Sequence, residues 1–181
     1  MPPHRVDESV QFVPVHIAVL TVSDTRDASN DTSGNLLASR IAEAGHILAA
    51  RKLLRDEKET IAAQLRSWIA DPEIDVVVST GGTGLTGRDV TVEAFRAVFE
   101  KEIDGFSVLF HQVSMQSVGT STIQSRACAG VAGGTYLFAL PGSTGAVKDG
   151  WDNILKFQLD ARHRPCNFIE IMPRLEEHRR K

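Results

Sequence analysis

The sequence predicts an α/β fold built on an open, parallel sheet, and three observations lead to that prediction. Continuous apolar runs rich in β-branched residues are typical of strands covered on both faces. Segments with a helical spacing of apolar residues separate these runs, which favours parallel pairing through right-handed crossovers. Polar, glycine-rich loops follow two of the runs, at the place where open sheets of this class bind their ligands.

The first half of the chain alternates strand and helix twice. "HIAVLTV" is a continuous apolar run that predicts a strand at 16–22, and a turn-rich loop follows it. Apolar residues then recur at helical spacing over 35–45, ending at a glycine that suits a C-terminal cap. A weaker strand is predicted at 46–57, and helical spacing returns at Thr60 until Pro72 ends it.

The second half repeats this order of elements. "DVVVST" predicts a third buried strand at 75–80, and two helical segments follow at 91–100 and 105–114. "TYLFALPGS" predicts a fourth strand at 135–143, and the last helix is expected to run over 145–163.

The length of the chain, 181 residues, suits one ordinary domain. Folding at this length buries roughly 70% of the surface of the unfolded chain. We expect one domain over 15–172, preceded by a flexible N-terminal arm at 1–14 and followed by a polar C-terminal tail at 173–181. A contact between subunits is the alternative role for these tails.

Charge and cysteine content exclude several classes of protein. Lys plus Arg is 20 against 23 for Asp plus Glu, so the net charge of -3 does not favour a nucleic-acid partner. Cys128 and Cys166 match no zinc or redox spacing, which favours free thiols in a reducing compartment, although one bridge between them stays open. The chain has neither an apolar run long enough for a membrane span nor a secretion signal, so we expect a cytoplasmic protein.

The loop after the third strand, "STGGTGLTGRD", is dense in glycine. Its glycines spell G-x-G-x-x-G, but they do not stand in the first βα unit, as a dinucleotide site requires. A P-loop would need Lys and then Ser or Thr where Arg88 and Asp89 stand. We therefore predict an anion site made by backbone amides, with a plain strand-to-helix turn as the alternative. The loop "LPGSTGAVKDG" after the fourth strand is of the same kind and is expected to face the same crevice.

Two carboxylates stand beside these loops and suggest a magnesium site. Asp56 ends the second predicted strand, and Asp89 precedes a helix that Thr91 is expected to cap. Carboxylates next to bound phosphates commonly hold Mg²⁺. Surface or helix-start charges are the alternative reading of both residues. Arg88 suits a forked contact to phosphate and equally suits an exposed surface position.

Five ordered blocks of sequence carry a resemblance to a known family. They are "STGGTGLTGRDVTVEAF", "KEIDGFSVLF", "GTSTIQSRACAGV", "LPGSTGAVKDGWDNI" and "QLDARHRPCNF". Together they resemble the MogA/MoaB family of molybdopterin-binding proteins over nearly the whole chain, and "GTSTIQSRA" and "LDARHRPCNF" are more similar to the MoaB members. The resemblance implies the molybdopterin-binding-domain fold, which is a three-layer α/β/α arrangement with a mostly parallel sheet. It also implies a homo-oligomer, expected to be a hexamer built as a dimer of trimers.

The resemblance also implies a set of site residues and ligands. The functional aspartates of the family match Asp56 and Asp89, which would be catalytic and would hold the metal. The loops that would bind molybdopterin or ATP match Ser23, Asp24 and Thr25, then Thr80, Gly81, Gly82, Thr83 and Gly84, and finally Pro141, Gly142 and Ser143. Enzymes of the family use Mg²⁺ and ATP to transfer AMP to the terminal phosphate of molybdopterin and release pyrophosphate. Other members bind molybdopterin without a settled activity beside a separate MogA, so a non-catalytic carrier, or a purely structural oligomer, is the alternative.

Overall fold

A computed structural model describes residues 5–179. The strands are β1 (Arg5–Val6), β2 (His16–Val22), β3 (Ile47–Leu54), β4 (Val76–Thr80), β5 (Lys101–Glu102), β6 (Cys128–Ala132), β7 (Thr135–Leu140) and β8 (His163–Arg164). The helices are α1 (Thr32–Glu43), α2 (Lys58–Ile69), α3 (Thr91–Arg96), α4 (Asp104–Val118), α5 (Thr144–Gly150), α6 (Lys156–Gln158) and α7 (Phe168–Ile171). A π-helical turn at Trp151–Leu155 joins α5 to α6, and 3₁₀ turns lie at Gly119–Gln124, Met172–Arg174 and Glu177–Arg179.

The central sheet has six strands in the order β3-β2-β4-β7-β6-β5. The pairs β2–β3, β2–β4 and β4–β7 are parallel, whereas β6 is antiparallel to β7 and β5 is antiparallel to β6. This confirms the prediction of a mostly parallel sheet. Strands β5 and β6 were not predicted, because one has two residues and the other, "CAGVA", consists of small residues without a clear strand pattern.

Hydrophobic cores lie on both faces of this sheet, which gives the three-layer arrangement. Successive side chains of a strand point to opposite faces, so Val76 and Val78 lie in one core and Val77 in the other. Helices α1, α4 and α5 cover the first core, which contains Phe110. Helices α2 and α3 cover the second, which contains Trp68. Because both faces are covered, ligands can reach the parallel strands only at their ends.

The predicted final helix, 145–163, was too long. Regular helix ends at Gln158, and the Asp160 carboxylate then accepts hydrogen bonds from the backbone N–H and the guanidinium of Arg162. Strand β8 follows and pairs in antiparallel fashion with β1, which lies within the expected N-terminal arm. The remainder of the arm and tail at 1–4 and 180–181 lies outside the described residues.

The state of the cysteines and the length of the helices bear on two of the expectations from sequence. Cys128 is buried and Cys166 is exposed, and both are free thiols, so the two cysteines form no bridge. Burial raises the pKa of the Cys128 thiol to about 12, which keeps it protonated and unreactive at neutral pH. No helix within residues 5–179 is both long enough and apolar enough to span a lipid bilayer.

Candidate functional site

Four loops meet at one edge of the sheet, because β2, β3, β4 and β7 run parallel and therefore end on the same side. Contacts between the loops confirm that they are neighbours. Arg26, after β2, donates a hydrogen bond of 3.1 Å to the carbonyl oxygen of Gly142, after β7. Asp56, after β3, donates its backbone N–H to the Asp24 carboxylate at 3.2 Å. Segments that are distant in sequence thus form one surface.

The turn after β4 requires glycine at its first two positions. Gly81 and Gly82 have φ angles of +104° and +64°, which L side chains rarely adopt. A Cβ atom on Gly81 would lie 2.1 Å from the carbonyl oxygen of Val22. The glycines therefore allow the turn to pass close against the end of β2, as a tight turn and an anion-binding turn both require.

The four carbonyl groups of residues 81–84 all accept hydrogen bonds from Thr91 or Arg126. Thr91 uses its hydroxyl and its backbone N–H to bind the carbonyl oxygens of Gly81 and Gly82, each at 2.9 Å. Arg126 Nε donates to the carbonyl oxygens of Thr83 and Gly84 at 3.0 and 3.1 Å. The backbone N–H groups of residues 82–85 have no hydrogen-bond partner within residues 5–179. These four consecutive amides are therefore unpaired within residues 5–179, and such a row favours the binding of an anion.

Asp56 and Asp89, the two predicted metal ligands, both adjoin this turn. Asp56 is 8% exposed, and its Oδ1 atom is buried without a hydrogen-bond partner among the described residues. A Cβ on Gly82 would lie 2.4 Å from that atom, and one on Gly84 would lie 2.8 Å from Asp89 Oδ2. Asp89 Oδ2 accepts hydrogen bonds from the N–H and hydroxyl of Thr86 at 2.8 and 2.6 Å. The fold therefore brings the two carboxylates to the same turn.

Arg88 lies at the site but is not free. Its Nε and one terminal nitrogen donate to the two carboxylate oxygens of Asp24 at 2.8 and 2.9 Å. This forked pair corresponds to the geometry we expected for phosphate, with a carboxylate in the phosphate position. Arg88 is thus paired with a loop of the same site.

Burial and neighbouring negative charges raise the pKa of Asp56 above the usual carboxyl value. Burial contributes most, the negative charges of Asp24 and Asp89 add to it, and Arg88 opposes it. A buried acceptor atom without a donor, beside two other carboxylates, is an arrangement that a cation would relieve. Within residues 5–179 no three or more His, Cys, Asp or Glu side chains are grouped as metal ligands. Asp56 and Asp89 therefore fit Mg²⁺ as two protein ligands that would be completed by ligand oxygens and water.

Other predicted site residues are placed at the same edge and have local structural partners. Ser143 accepts a hydrogen bond from the Ala146 N–H and so caps α5, while the Thr80 hydroxyl donates to the Pro141 carbonyl oxygen. Ser23 accepts from the N–H groups of Thr25 and Arg26. The expectation that Thr91 caps α3 was wrong: Thr91 is the first residue of α3, and its hydroxyl binds the glycine turn instead.

Sequence reasoning missed three residues that shape the site: Arg26, Asp31 and Arg126. Arg26 donates to the Ser33 hydroxyl at 2.6 Å and so ties the loop after β2 to the start of α1. Asp31 is buried and caps α1 by accepting from the Gly34 N–H. The signal for Asp31 was an N-cap residue type before a helix. Arg26 and Arg126 carry no local signal, because each donates to backbone carbonyls of a loop that is distant in sequence.

We expect Asp56→Asn to stabilise the protein at neutral pH. A raised pKa means that the folded state binds the proton more readily than the unfolded chain, so stability falls as Asp56 ionises with rising pH. The substitution removes this charge and should increase the free energy of unfolding by about 1 kcal/mol at pH 7. The gain should shrink as the pH falls toward 3.8, the ordinary carboxyl value. Urea unfolding at a series of pH values from about 4 to about 8 measures this effect.

Asp31→Asn is the matched control, because the Asp31 pKa shifts the other way. Burial acts to raise it, but hydrogen bonds from Thr21, Arg51 and Gly34 lower it overall. The ionised form stabilises the fold above its unfolded pKa, so this variant should lose stability at pH 7. A loss of stability in Asp56→Asn at pH 7 would contradict the account of Asp56.

Comparisons with known proteins show which sequences and folds this chain resembles. Residues 18–161 match the family model described as "Probable molybdopterin binding domain". The molybdenum cofactor biosynthesis protein B of Escherichia coli K12 is 48% identical over 160 residues, or 88% of this chain and 94% of that protein. A crystal structure of a molybdenum cofactor biosynthesis protein B has a TM-score of 0.82 and 36% identity, covering 91% of this chain and 98% of the other. That of the tungsten cofactor synthesizing protein MoaB from Pyrococcus furiosus has a TM-score of 0.70 and 31% identity, covering 93% and 98%.

Proposed function

Because this chain belongs to the molybdopterin-binding domain family that includes the B proteins of molybdenum cofactor biosynthesis, we propose that it takes part in the synthesis of that cofactor by binding molybdopterin. The ligand lies at the carboxyl edge of the sheet. The terminal phosphate of molybdopterin accepts hydrogen bonds from the amides of residues 82–85. The protein works in the cytoplasm, which its two free cysteines support.

The observation that carries this proposal is the row of unpaired amides beside a buried carboxylate. Each amide offers a hydrogen bond that no residue within 5–179 takes, and an unpaired backbone donor is costly unless water or a ligand binds it. Phosphate oxygens are the acceptors that such a row favours. Asp56 Oδ1, which has no donor within residues 5–179, lies against the same turn.

We further propose that the protein transfers AMP from ATP to molybdopterin. An oxygen of the terminal phosphate forms a bond to the α-phosphorus of ATP, and the bond from that phosphorus to the bridging oxygen breaks, so pyrophosphate leaves with the electron pair. Mg²⁺ would neutralise charge on the triphosphate, and Asp56 and Asp89 would hold it. The protein needs no nucleophile for this reaction, because positioning and charge neutralisation lower the barrier.

The remaining residues of the site orient the two ligands. The amides of residues 82–85 hold one phosphate, and the Ser143 hydroxyl, which accepts from Ala146, can donate to a second ligand oxygen. Arg88 exchanges its forked contact with Asp24 for one with phosphate when the ligand binds. These contacts fix the attacking oxygen relative to the α-phosphorus.

One anaerobic assay tests this proposal. Purified protein is mixed with molybdopterin and Mg-ATP, and pyrophosphate and protein-bound pterin are measured in the same sample. We expect bound pterin together with pyrophosphate that depends on both Mg²⁺ and molybdopterin. Bound pterin without pyrophosphate would contradict the transfer reaction and assign a carrier role. If neither bound pterin nor pyrophosphate is found, the result would contradict the function as a whole.

We also propose that the chain assembles into a hexamer, as a dimer of trimers. Apolar side chains on α4 and the following turn support self-association: Val108, Met115, Val118 and Ile123 are 61%, 50%, 52% and 77% exposed. Single exposed apolar residues are common, but a group on one helix and its extension is typical of an interface. Light scattering should give a mass of six chains of 19.8 kDa. A mass of one or three chains would contradict this assembly.

A further inference from the structure

Arg126 is the side chain that binds the backbone of the glycine turn from outside it. It stands just before β6 and is 29% exposed at its side chain. Its guanidinium donates to three backbone carbonyls, those of Thr83, Gly84 and Asp89, at 3.0, 3.1 and 3.2 Å. It also forms a two-pronged ion pair with Glu93 on α3. One side chain thus connects β6, the glycine turn and α3.

Binding a carbonyl group also determines where the N–H of the same peptide bond points. In a trans peptide the C=O and the following N–H point to opposite sides of the same plane. Because Arg126 holds the carbonyls of Thr83 and Gly84, the N–H groups of Gly84 and Leu85 point away from the guanidinium. These are two of the four amides without a partner within residues 5–179. Arg126 therefore turns the amides toward the side where the phosphate is proposed to bind.

Arg126 also binds the backbone of Asp89, whose side chain is one of the two site carboxylates. Arg126 holds the Asp89 carbonyl oxygen at 3.2 Å, and Asp89 Oδ2 lies close to Gly84. Glu93 in turn holds the guanidinium, and the hydrogen bond from Arg126 lowers the Glu93 pKa, which keeps this carboxylate ionised. The amides and the Asp89 backbone are thus fixed by the same planar group.

We infer that Arg126 is a positioning residue that fixes the amides of Gly84 and Leu85, together with Asp89, in the orientation that binds the ligand phosphate. The inference rests on the proposed function, since it concerns the same site. Arg126 has no contact with the phosphate in this inference, because all three of its guanidinium nitrogens already donate to carbonyls of the site or to Glu93. Its removal should therefore change binding without removing a direct contact.

Arg164 provides a matched control. It is 30% exposed at its side chain, donates to the carbonyl oxygens of Ala161 and His163, and pairs with Glu170. Its partners lie near β8 and α7, away from the four loops of the site. A purely structural role for Arg126 predicts that both arginines affect stability and that neither affects phosphate binding selectively.

The test compares Arg126→Gln with Arg164→Gln. The dissociation constant of molybdopterin is measured anaerobically by calorimetry, and the amide shifts of Gly84 and Leu85 are followed by NMR as inorganic phosphate is added. We expect Arg126→Gln to weaken molybdopterin binding about 10-fold or more and to abolish the two phosphate-dependent shifts, because small misplacements of binding groups are costly. Arg164→Gln should leave both readouts as in the unchanged protein.

The outcomes separate this inference from the function. Equal binding by the unchanged protein and Arg126→Gln would overturn the inference alone, whereas no binding by the unchanged protein would overturn the proposed function with it. If Arg126→Gln does not fold, Glu93→Gln and Glu170→Gln replace the pair. Weaker molybdopterin binding by Glu93→Gln than by Glu170→Gln then supports the inference, and equal binding overturns it.

Discussion

Asp89→Asn should slow pyrophosphate release by about 100-fold or more while it changes the dissociation constant of molybdopterin by less than about threefold. The substitution removes the negative charge that would hold Mg²⁺ at the triphosphate. It keeps the shape of the side chain, and an amide oxygen can still accept from the Thr86 N–H, as Oδ2 does now at 2.8 Å. The charge acts on the transition state, whereas the shape of the turn determines binding. Single-turnover assays and anaerobic calorimetry measure the two effects separately.

Asp7→Asn is the control for this variant. Asp7 Oδ1 accepts hydrogen bonds from the N–H and the hydroxyl of Ser9 at 3.1 and 2.6 Å, which repeats the contact between Asp89 and Thr86. Asp7 follows β1 and lies outside the four loops. Asp7→Asn should therefore leave both constants unchanged. An Asp89→Asn protein that keeps its rate would remove Asp89 from the catalytic group.

Gly81→Ala should abolish molybdopterin binding and lower the free energy of unfolding by about 3 kcal/mol. The φ angle of +104° disfavours alanine, and the added methyl group would lie 2.1 Å from the Val22 carbonyl oxygen. Because that oxygen belongs to the backbone of β2, the turn must move, and the amides of residues 82–85 move with it. Chemical unfolding and calorimetry of the same preparation check both effects.

Gly87→Ala is the internal control, because a Cβ at position 87 would meet no atom within 4 Å and its φ is not in the left-handed region. It should change stability by less than about 0.5 kcal/mol and leave binding intact. A Gly81→Ala protein that binds molybdopterin normally would show that the shape of the turn is not needed for the site.

The sequence was sufficient to predict the elements whose signals are local. The strand runs at 16–22 and 75–80 are continuous, apolar and β-branched, so their composition identified them, and the parallel order followed from the helices between them. The same logic placed the loops after the third and fourth predicted strands at one edge of the sheet, since parallel strands share an edge. Asp56 and Asp89 could be proposed together for that reason, and their contact with one turn agrees with it.

Features that depend on distant backbone partners could not be predicted. The pairing of β1 with β8 joins two-residue segments that carry no periodicity, and the last helix stops where Asp160 and Arg162 pair rather than at a glycine or proline. Arg126 is one arginine in a polar loop, and only the fold reveals that its partners are carbonyls of the glycine turn. Residue type also does not show that the Asp24 carboxylate accepts both hydrogen bonds from the Arg88 guanidinium.

The most direct test of the site is a crystal structure of the protein grown with molybdopterin. We expect the terminal phosphate of molybdopterin to lie within hydrogen-bonding distance of the backbone amides of residues 82–85. Molybdopterin bound at the opposite edge of the sheet, or a phosphate that contacts none of these amides, would contradict the account.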